Sequence, residues 1–481
     1  MTVWRLCVAL CLVLPIAGLA QTEAPPPNVV VILVDDLGYG DLEPFGHPTI
    51  RTPHLMRMAA EGARLTQFYM PASVCTPSRA GLLTGRHPLR SGTMAEGAPE
   101  VFFPDSREGL PPSEVTLAEA LAEAGYATAA VGKWHLGHRA GFLPTDQGFE
   151  TYLGIPYSND MNGRPGIADL APGRPWYEVN RLAPPDSFDV PLVRAEAGGA
   201  PREVERPVRQ ETLTPRYTAE AVAFVERQAA SGRPFFLYLA HAYPHVPLYA
   251  SPAFAGQSAA GVYGDVVEEL DWSVGQILGA LRQADVDRNT LVVFTSDNGP
   301  WLLYEDHGGA AGPLRGGKAA GWEGGFRVPA VAWWPGRIPA GSVVRDVASA
   351  LDLVPTVLDA AGLDPEAGRS LDGRSLLPRL EGRAAAFETA FEDGAFPYYV
   401  AGTLYALRRG PWKLHLVTRV PYAGQPPTRH EPPLLFHLGR DPGERYDVSA
   451  DHPEVVAELV ALAARVDAGI DRGRDVLSAR D

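Results

Sequence analysis

A chain of 481 residues, 46% hydrophobic and 21% charged, has room for one large core with a smaller domain beside it, and the composition of a globular protein. Its formal net charge of -15 argues against nucleic acid as a partner and against anionic membranes, so an anionic substrate would require cations gathered locally. No low-complexity tract or repeat of solenoid period is present, and the 50 glycines and 46 prolines fall mostly between apolar runs, which predicts long, stiffened loops over a compact scaffold.

Residues 1–20 read as a signal peptide. Arg5 precedes an apolar run from 6 to 20, with Gly18 and Ala20 as small residues at the cleavage positions. The run is too short for a membrane span, and neither Cys7 nor Cys11 follows the small residue that a lipoprotein anchor needs. The expectation is an exported chain, periplasmic or secreted, beginning near Gln21 and without stable membrane insertion. Of three cysteines, this leaves Cys75 alone, where exported proteins normally use cysteines in pairs. Such a residue is either an inert buried thiol or a reactive, modified one.

Residues 28–34 (NVVVILV) form a continuous β-branched run ending in Asp35-Asp36, the pattern of a strand buried on both faces. Helical spacing over 116–124 stops at Gly125. A short strand at 126–131 follows and leads into Gly132, Lys133, Trp134 and His135. The stretch 155–214 is rich in proline and glycine without clear periodicity and reads as a surface excursion. A helix at 218–230 precedes a strand at 234–240. A long amphipathic helix at 264–283 precedes a strand at 291–295 that ends in Ser296-Asp297-Asn298-Gly299. A helix at 351–361 is closed by Gly362. Beyond 385 the pattern changes to short strands at 404–408, 412–417 and 434–438, then a helix at 453–468.

Alternating strands and helices predict an α/β fold with a large, mostly parallel sheet flanked by helices over 21–385. A smaller C-terminal subdomain over 386–481 is expected to carry an antiparallel sheet and a terminal helix. The polar clusters Asp35-Asp36, Lys133 with His135, His245, and Asp297-Asn298 each follow the carboxyl end of a predicted strand. In open α/β sheets ligands bind at that edge, so these separated segments should converge on one site. Asp35, Asp36, Asp297 and Asn298 are all hard oxygen donors, a set suited to Ca²⁺ or Mg²⁺. Arg79, Lys133 and Lys318 supply the local positive charge. Gly316-Gly317 before Lys318 suggests a backbone held close to another segment.

Cys75-Thr76-Pro77-Ser78-Arg79, followed by Leu83-Thr84-Gly85-Arg86, resembles the signature of the formylglycine-dependent type I sulfatases. The blocks VDDLGYGD, GKWHLG, PHVPLY, SDNGP, LRGGK, LDLVPTVLDAAG and DPGERYDV are similar to sulfatase segments in the same order, in the style of arylsulfatase A and N-acetylgalactosamine-6-sulfatase. The resemblance covers nearly the whole chain after 20. It implies an alkaline-phosphatase-like sandwich and a maturation enzyme that converts Cys75 to formylglycine (3-oxoalanine), reading Pro77 and Arg79. It also implies hydrolysis of a sulfate ester through the aldehyde hydrate, one hydroxyl forming a covalent sulfate ester and the other expelling sulfate. The implied metal ligands are Asp35, Asp36, Asp297, Asn298 and residue 75, around Ca²⁺ or, as an alternative, Mg²⁺. Arg79 would brace the diol and the carboxylates, and Lys133 and Lys318 would hold sulfate oxygens. His135 would take the diol proton for sulfate release, and Asp297 could serve as base for attack. His245 would contact sulfate and share with Lys318 the assistance to the leaving oxygen. His241 reads as a packing histidine.

Two other readings compete. A phosphonate or phosphate ester hydrolase of the same superfamily would carry an Asp-His pair in place of Asp297-Asn298. A non-catalytic binding protein on the same fold would have lost site residues that are all filled here. The expected substrate is a sulfated carbohydrate, with an aryl sulfate as the alternative. The leaving group would be read by loops, with Asn159, Asp160, Tyr304 and His307 as candidates.

Overall fold

The computed structural model describes residues 25–164, 174–365 and 370–481. The signal peptide expected at 1–20 lies outside the described residues. Among those described, no helix is long and apolar enough to cross a membrane.

The main sheet has eleven strands: β1 (Asn28–Val34), β2 (Ala63–Tyr69), β3 (Ala127–Gly132), β4 (Thr151–Gly154), β5 (Leu192–Glu196), β6 (Arg202–Glu205), β7 (Phe235–Ala240), β8 (Thr290–Ser296), β9 (Arg327–Trp333), β10 (Ser342–Val344) and β11 (Ala348–Ser349). Their spatial order is β10-β2-β9-β8-β1-β7-β3-β4-β5-β6, with β11 also paired to β2. The centre, β8-β1-β7-β3, is parallel, as the apolar runs predict. All seven residues of β1 are buried, and they divide by the strand period of two. Val30, Ile32 and Val34 pack in one core with the helices Leu213–Ser231 and Gly261–Gln283. Val29, Val31 and Leu33 pack in the other with the helices Cys75–Thr84 and Leu353–Ala360. The result is a sheet covered on both faces.

The sheet is mostly parallel, as the sequence predicts, and three features add to that reading. β9 runs antiparallel between β2 and β8, so the sheet is mixed. The 155–214 excursion contains the helix Trp176–Leu182 and the strands β5 and β6; β5 pairs antiparallel with β4 and β6 with β5, extending one edge. The helix expected from 351 begins as a 3₁₀ turn at Ala350–Asp352, where the Asp352 carboxylate accepts from the Ser349 backbone N–H at 2.7 Å.

A second sheet is antiparallel throughout: β12 (Ala395–Val400), β13 (Thr403–Arg409), β14 (Trp412–Thr418) and β15 (Thr428–His437). The terminal helix Pro453–Ala468 lays Leu459, Leu462, Ala463 and Val466 against Leu407, Leu414 and Leu435 of this sheet. Each large apolar side chain so buried contributes roughly 1.5–3 kcal/mol.

Register positions the chemistry. Val34 lies opposite Ser296, Leu33 opposite Ala240, and Ala240 opposite Gly132, so four adjacent strands end at one level. The segments starting at Asp35, Lys133, His241 and Asp297 leave the sheet side by side.

Candidate active site

Cys75 is the first residue of the helix Cys75–Thr84, entered from extended Val74. The N-terminal end of that helix presents partial positive charge to residue 75. Arg79 sits one turn along on the same face. Its buried guanidinium forks three ways: Nε donates to Asp297 Oδ2 at 2.9 Å, Nη2 to Asp35 Oδ2 at 3.2 Å and Nη1 to the Lys133 carbonyl at 2.6 Å. It ties the ends of β1, β3 and β8 to the helix.

Lys133 and His135 lie beyond the end of the strand and are not on one face of it. β3 stops at Gly132, with φ +112, where a Cβ would lie 1.8 Å from the Ala240 carbonyl oxygen. His135 enters the site from a turn, with φ 60 and its N–H on the Pro156 carbonyl. Gly317 has the close approach expected for the Gly-Gly pair. A Cβ there would meet the Pro300 carbonyl oxygen at 2.2 Å, and that same oxygen accepts the Lys318 N–H at 2.9 Å. The loop bearing Lys318 is thereby pressed onto the segment that follows Asp297-Asn298.

The side chains converge. Lys318 Nζ lies 2.7 and 2.8 Å from the two oxygens of Asp36 and 3.5 Å from Cys75 Sγ. Lys133 Nζ pairs with Asp35 Oδ2 at 2.5 Å and donates to Ser158 Oγ at 2.9 Å. Ser158 in turn lies 3.2 Å from His245 Nε2. His245 Nδ1 faces the Val246 carbonyl at 2.6 Å, which makes Nδ1 the donor and leaves Nε2 an acceptor. His135 Nε2 faces the Phe102 carbonyl at 2.9 Å, so its buried Nδ1 is an unprotonated nitrogen, and it has no partner among the described residues. Asp35, Asp36, Cys75, Arg79, Lys133, His135, His245, Asp297, Asn298 and Lys318, the ten residues to which the sequence resemblance gives metal or catalytic roles, meet here. Ser158, from the excursion without periodicity, was missed, and no local pattern marks it.

Burial and charge set the protonation states. Burial alone would raise the Asp35 carboxyl, but the Lys133 ammonium and the Arg79 guanidinium hold it well below the carboxylate range. Asp36 is pushed up to about 7 by burial, against the pull of Lys318, with Asp35 and Asp297 adding to the rise. Asp297 rises through burial and the neighbouring Asp35. Burial, with Lys133 beside one and Lys318 beside the other, drives His135 and His245 well below the usual histidine value. Burial lowers and Asp36 raises Lys318, which ends well above its ordinary value and stays an ammonium. The Cys75 thiol is pushed far up by burial and by Asp35. As a thiol it would be a poor nucleophile.

The donor set fits a hard cation. Ligand atoms of Asp35, Asp36, Cys75 and His245 lie within 4.8 Å of one another. Asn298 gives its Nδ2 to Asp36 Oδ1 at 2.7 Å, which leaves its buried Oδ1 with no partner among the described residues. A buried carbonyl oxygen left over beside three carboxylates is what an oxygen-ligated cation would satisfy.

Above this floor opens a cavity of about 730 Å³, lined by Cys75, His135, His245 and Lys318 at its closed end and by Trp301, Trp176 and Tyr422 on one wall. Asp160 lines it. Asn159 does not, its amide being spent on Gln210 Oε1 and the Pro247 carbonyl. Tyr304 is buried behind Trp301, with ring centroids 4.9 Å apart, and His307 lies outside the lining. His241 packs away from the cavity, 3.2 Å from Ser273 Oγ.

The model of the family described as Sulfatase matches residues 27–363, and that described as C-terminal region of aryl-sulfatase matches 392–481. The chain is 42% identical to arylsulfatase A of Bos taurus, over 98% of this chain and 92% of that one. It is 42% identical to N-acetylgalactosamine-6-sulfatase of Canis lupus familiaris, over 93% and 86%. The crystal structure of Ps i-CgsB in complex with k-i-k-neocarrahexaose superposes with a TM-score of 0.75 at 30% identity, covering 92% of this chain and 93% of that one.

Proposed function

We infer that this chain, which belongs to the sulfatase family and is a sulfuric ester hydrolase, acts on a sulfated carbohydrate with a nucleophile made by oxidising Cys75 to formylglycine. The observation that carries this reading is residue 75 itself: a buried cysteine at a helix N-terminus, flanked by Lys318 and Asp35, whose thiol is held protonated. Sulfuryl transfer there needs an oxygen nucleophile, and formylglycine hydrate would supply two hydroxyls, one to take the sulfuryl group and one to release it. A sulfated carbohydrate is supported by the relative named N-acetylgalactosamine-6-sulfatase and by the neighbour solved with neocarrahexaose.

Asp35, Asp36, Asp297 and Asn298, with residue 75, would hold Ca²⁺ or Mg²⁺, which would supply positive charge to the nucleophilic oxygen and to sulfate. The remaining roles fall to the chain's own groups. Arg79 holds the Asp35 and Asp297 carboxylates apart and oriented. Lys133 orders Ser158, whose hydroxyl then donates to His245 Nε2 and points that ring at the cavity. Lys318 is the ammonium nearest residue 75, and it serves as proton donor to the leaving oxygen and as electrostatic partner of the sulfate. His245 is held neutral, its Nδ1–H on the Val246 carbonyl and its Nε2 accepting from Ser158, so it lines the sulfate end without a proton to give and leaves the acid role to Lys318. His135, neutral with Nδ1 unpartnered, accepts the proton from the second hydroxyl when sulfate leaves.

Export to the periplasm or beyond, and a formylglycine-generating maturation enzyme there or in the cytoplasm, complete the proposal. The test is mass spectrometry of tryptic peptide 65–79 from protein made in its native host, with hydrolysis of 4-nitrophenyl sulfate measured on the same sample. Sulfur replaced by oxygen at residue 75, in proportion to activity, is the expected result. Full activity from protein whose residue 75 is an alkylatable thiol would overturn it.

A further inference from the structure

The cavity is electrostatically lopsided. Its closed end carries Lys318, with Lys133 behind it. Toward the mouth, every arginine near the lining already has a carboxylate: Arg480 pairs with Asp105 at 2.9 and 3.0 Å, Arg419 with Glu100 at 2.7 and 3.0 Å, and Arg181 with Asp306 at 2.8 Å. Asp160 differs. Among the described residues it has no ion pair, and its carboxylate receives one long side-chain hydrogen bond, from Asn180 Nδ2 at 3.4 Å. Asn180 Nδ2 is equally far from the Tyr304 hydroxyl, so neither group has spent its capacity. Both line the cavity, beside half-exposed Trp176 and Tyr422, whose rings lie 6.0 Å apart and 5.8 and 5.6 Å from buried Trp301.

We propose that Asp160 is the specificity-determining residue of the leaving-group pocket, selecting a neutral sugar ring that bears a single sulfate. Sugar hydroxyls are donors, and a carboxylate with unused lone pairs is the strongest acceptor available to them. The apolar face of the ring rests on Trp176 and Tyr422. A second sulfate or a uronate carboxylate on the same ring would meet the Asp160 charge with no free cation among the described lining residues to offset it. An aryl sulfate uses the aromatic wall but makes no use of Asp160.

This rests on the carbohydrate reading above, and the test separates the two. Matured enzyme is assayed with 4-nitrophenyl sulfate, with galactose and N-acetylgalactosamine carrying one sulfate, and with the same sugars carrying two. Wild type should favour the singly sulfated sugars over the doubly sulfated ones by about tenfold or more in kcat/KM. Asp160→Asn should narrow that preference about tenfold and lower the ratio of singly sulfated sugar to aryl sulfate by a similar factor, the loss expected of one hydrogen bond to a charged group. Asp160→Glu retains the charge and should keep the discrimination against the second sulfate. If wild type prefers the disulfates, or if Asp160→Asn moves both ratios by less than about threefold, the Asp160 proposal falls and the carbohydrate reading stands. If wild type hydrolyses the aryl sulfate and none of the sugars, both fall.

Discussion

Gly317→Ala should damage catalysis far more than folding. The Cβ it adds would lie 2.2 Å from the Pro300 carbonyl oxygen, where side-chain carbons do not approach backbone atoms under 3.0 Å. Relief requires the Lys318 loop and the segment after Asn298 to separate by roughly 1 Å, since neither backbone can rotate away independently. That movement stretches the 2.9 Å bond from the Lys318 N–H to the same oxygen and withdraws Lys318 Nζ from Asp36 and residue 75. A misplacement of that size at a reacting group costs about 100-fold in rate, whereas overpacking at one site costs about 1–3 kcal/mol of stability. The assay is kcat/KM for 4-nitrophenyl sulfate on wild type and variant matched for formylglycine content by mass spectrometry, with thermal unfolding alongside. A variant within about threefold of wild-type activity, far short of that loss, would show that the close contact does not position Lys318.

Three further outcomes follow from particular contacts. Lys413, with no side-chain exposure, lies 3.1 Å from Glu323 and 3.0 Å from Glu444. Lys413→Met removes the ammonium that the two buried carboxylates share and should cost about 3 kcal/mol in urea unfolding, a loss under about 1 kcal/mol refuting the account. Calcium should raise the melting temperature of the wild type and leave Asp36→Ala unshifted, because an ion that binds only the folded state stabilises by mass action; an unchanged calcium response in the variant would remove Asp36 from the ligand set. His87 is pushed down to about 4 by burial, while its ring nitrogen accepts from the Leu89 N–H and its face meets Tyr399 of the second sheet. The unfolded chain takes up this proton first, so stability is intact above about pH 6.5 and declines by about 3 kcal/mol toward pH 4. His87→Asn should flatten that part of the profile, and an identical slope in the variant would assign it to other groups.

How far the sequence could be read depended on where each segment sits in the sheet. β1, β3, β7 and β8 are buried on both faces, so their apolar runs are unbroken and their ends abrupt. Asp35, Asp36, Lys133, His135, His245, Asp297 and Asn298 follow those ends, which is why they could be named from local patterns, whereas Cys75 and Arg79 were legible from the signature and Lys318 from the glycine pair before it. β9 carries Pro329 within it, β2 has a register shift between Leu65 and Phe68, β5 is five residues long with Arg194 and Glu196 in it, and β6 is a polar edge strand, so none of them shows a clean period. The Lys413–Glu323–Glu444 cluster was invisible for a different reason. A lysine in a strand reads as surface until the partners from two distant loops are brought to it.

The same distinction separates the two ends of the cavity. The sulfate end is fixed by the sheet, through a guanidinium that spans three strand termini and a glycine that admits no side chain. The leaving-group end is assembled from residues 160, 301 and 422 on separate loops and 176 and 180 on the helix Trp176–Leu182, brought together by side-chain contacts. Substitutions at 160, 176 and 180 can change which alcohol departs without touching Arg79, Lys133 or Lys318, so specificity can change while the chemistry is held constant; Trp301, whose ring lies 4.2 Å from Lys318 Nζ, is shared by both ends. That independence is also why a family signature at 75–79 identifies the reaction and is silent about the sugar. The residues that read the leaving group lie more than eighty positions away, in segments whose conformation the signature does not influence.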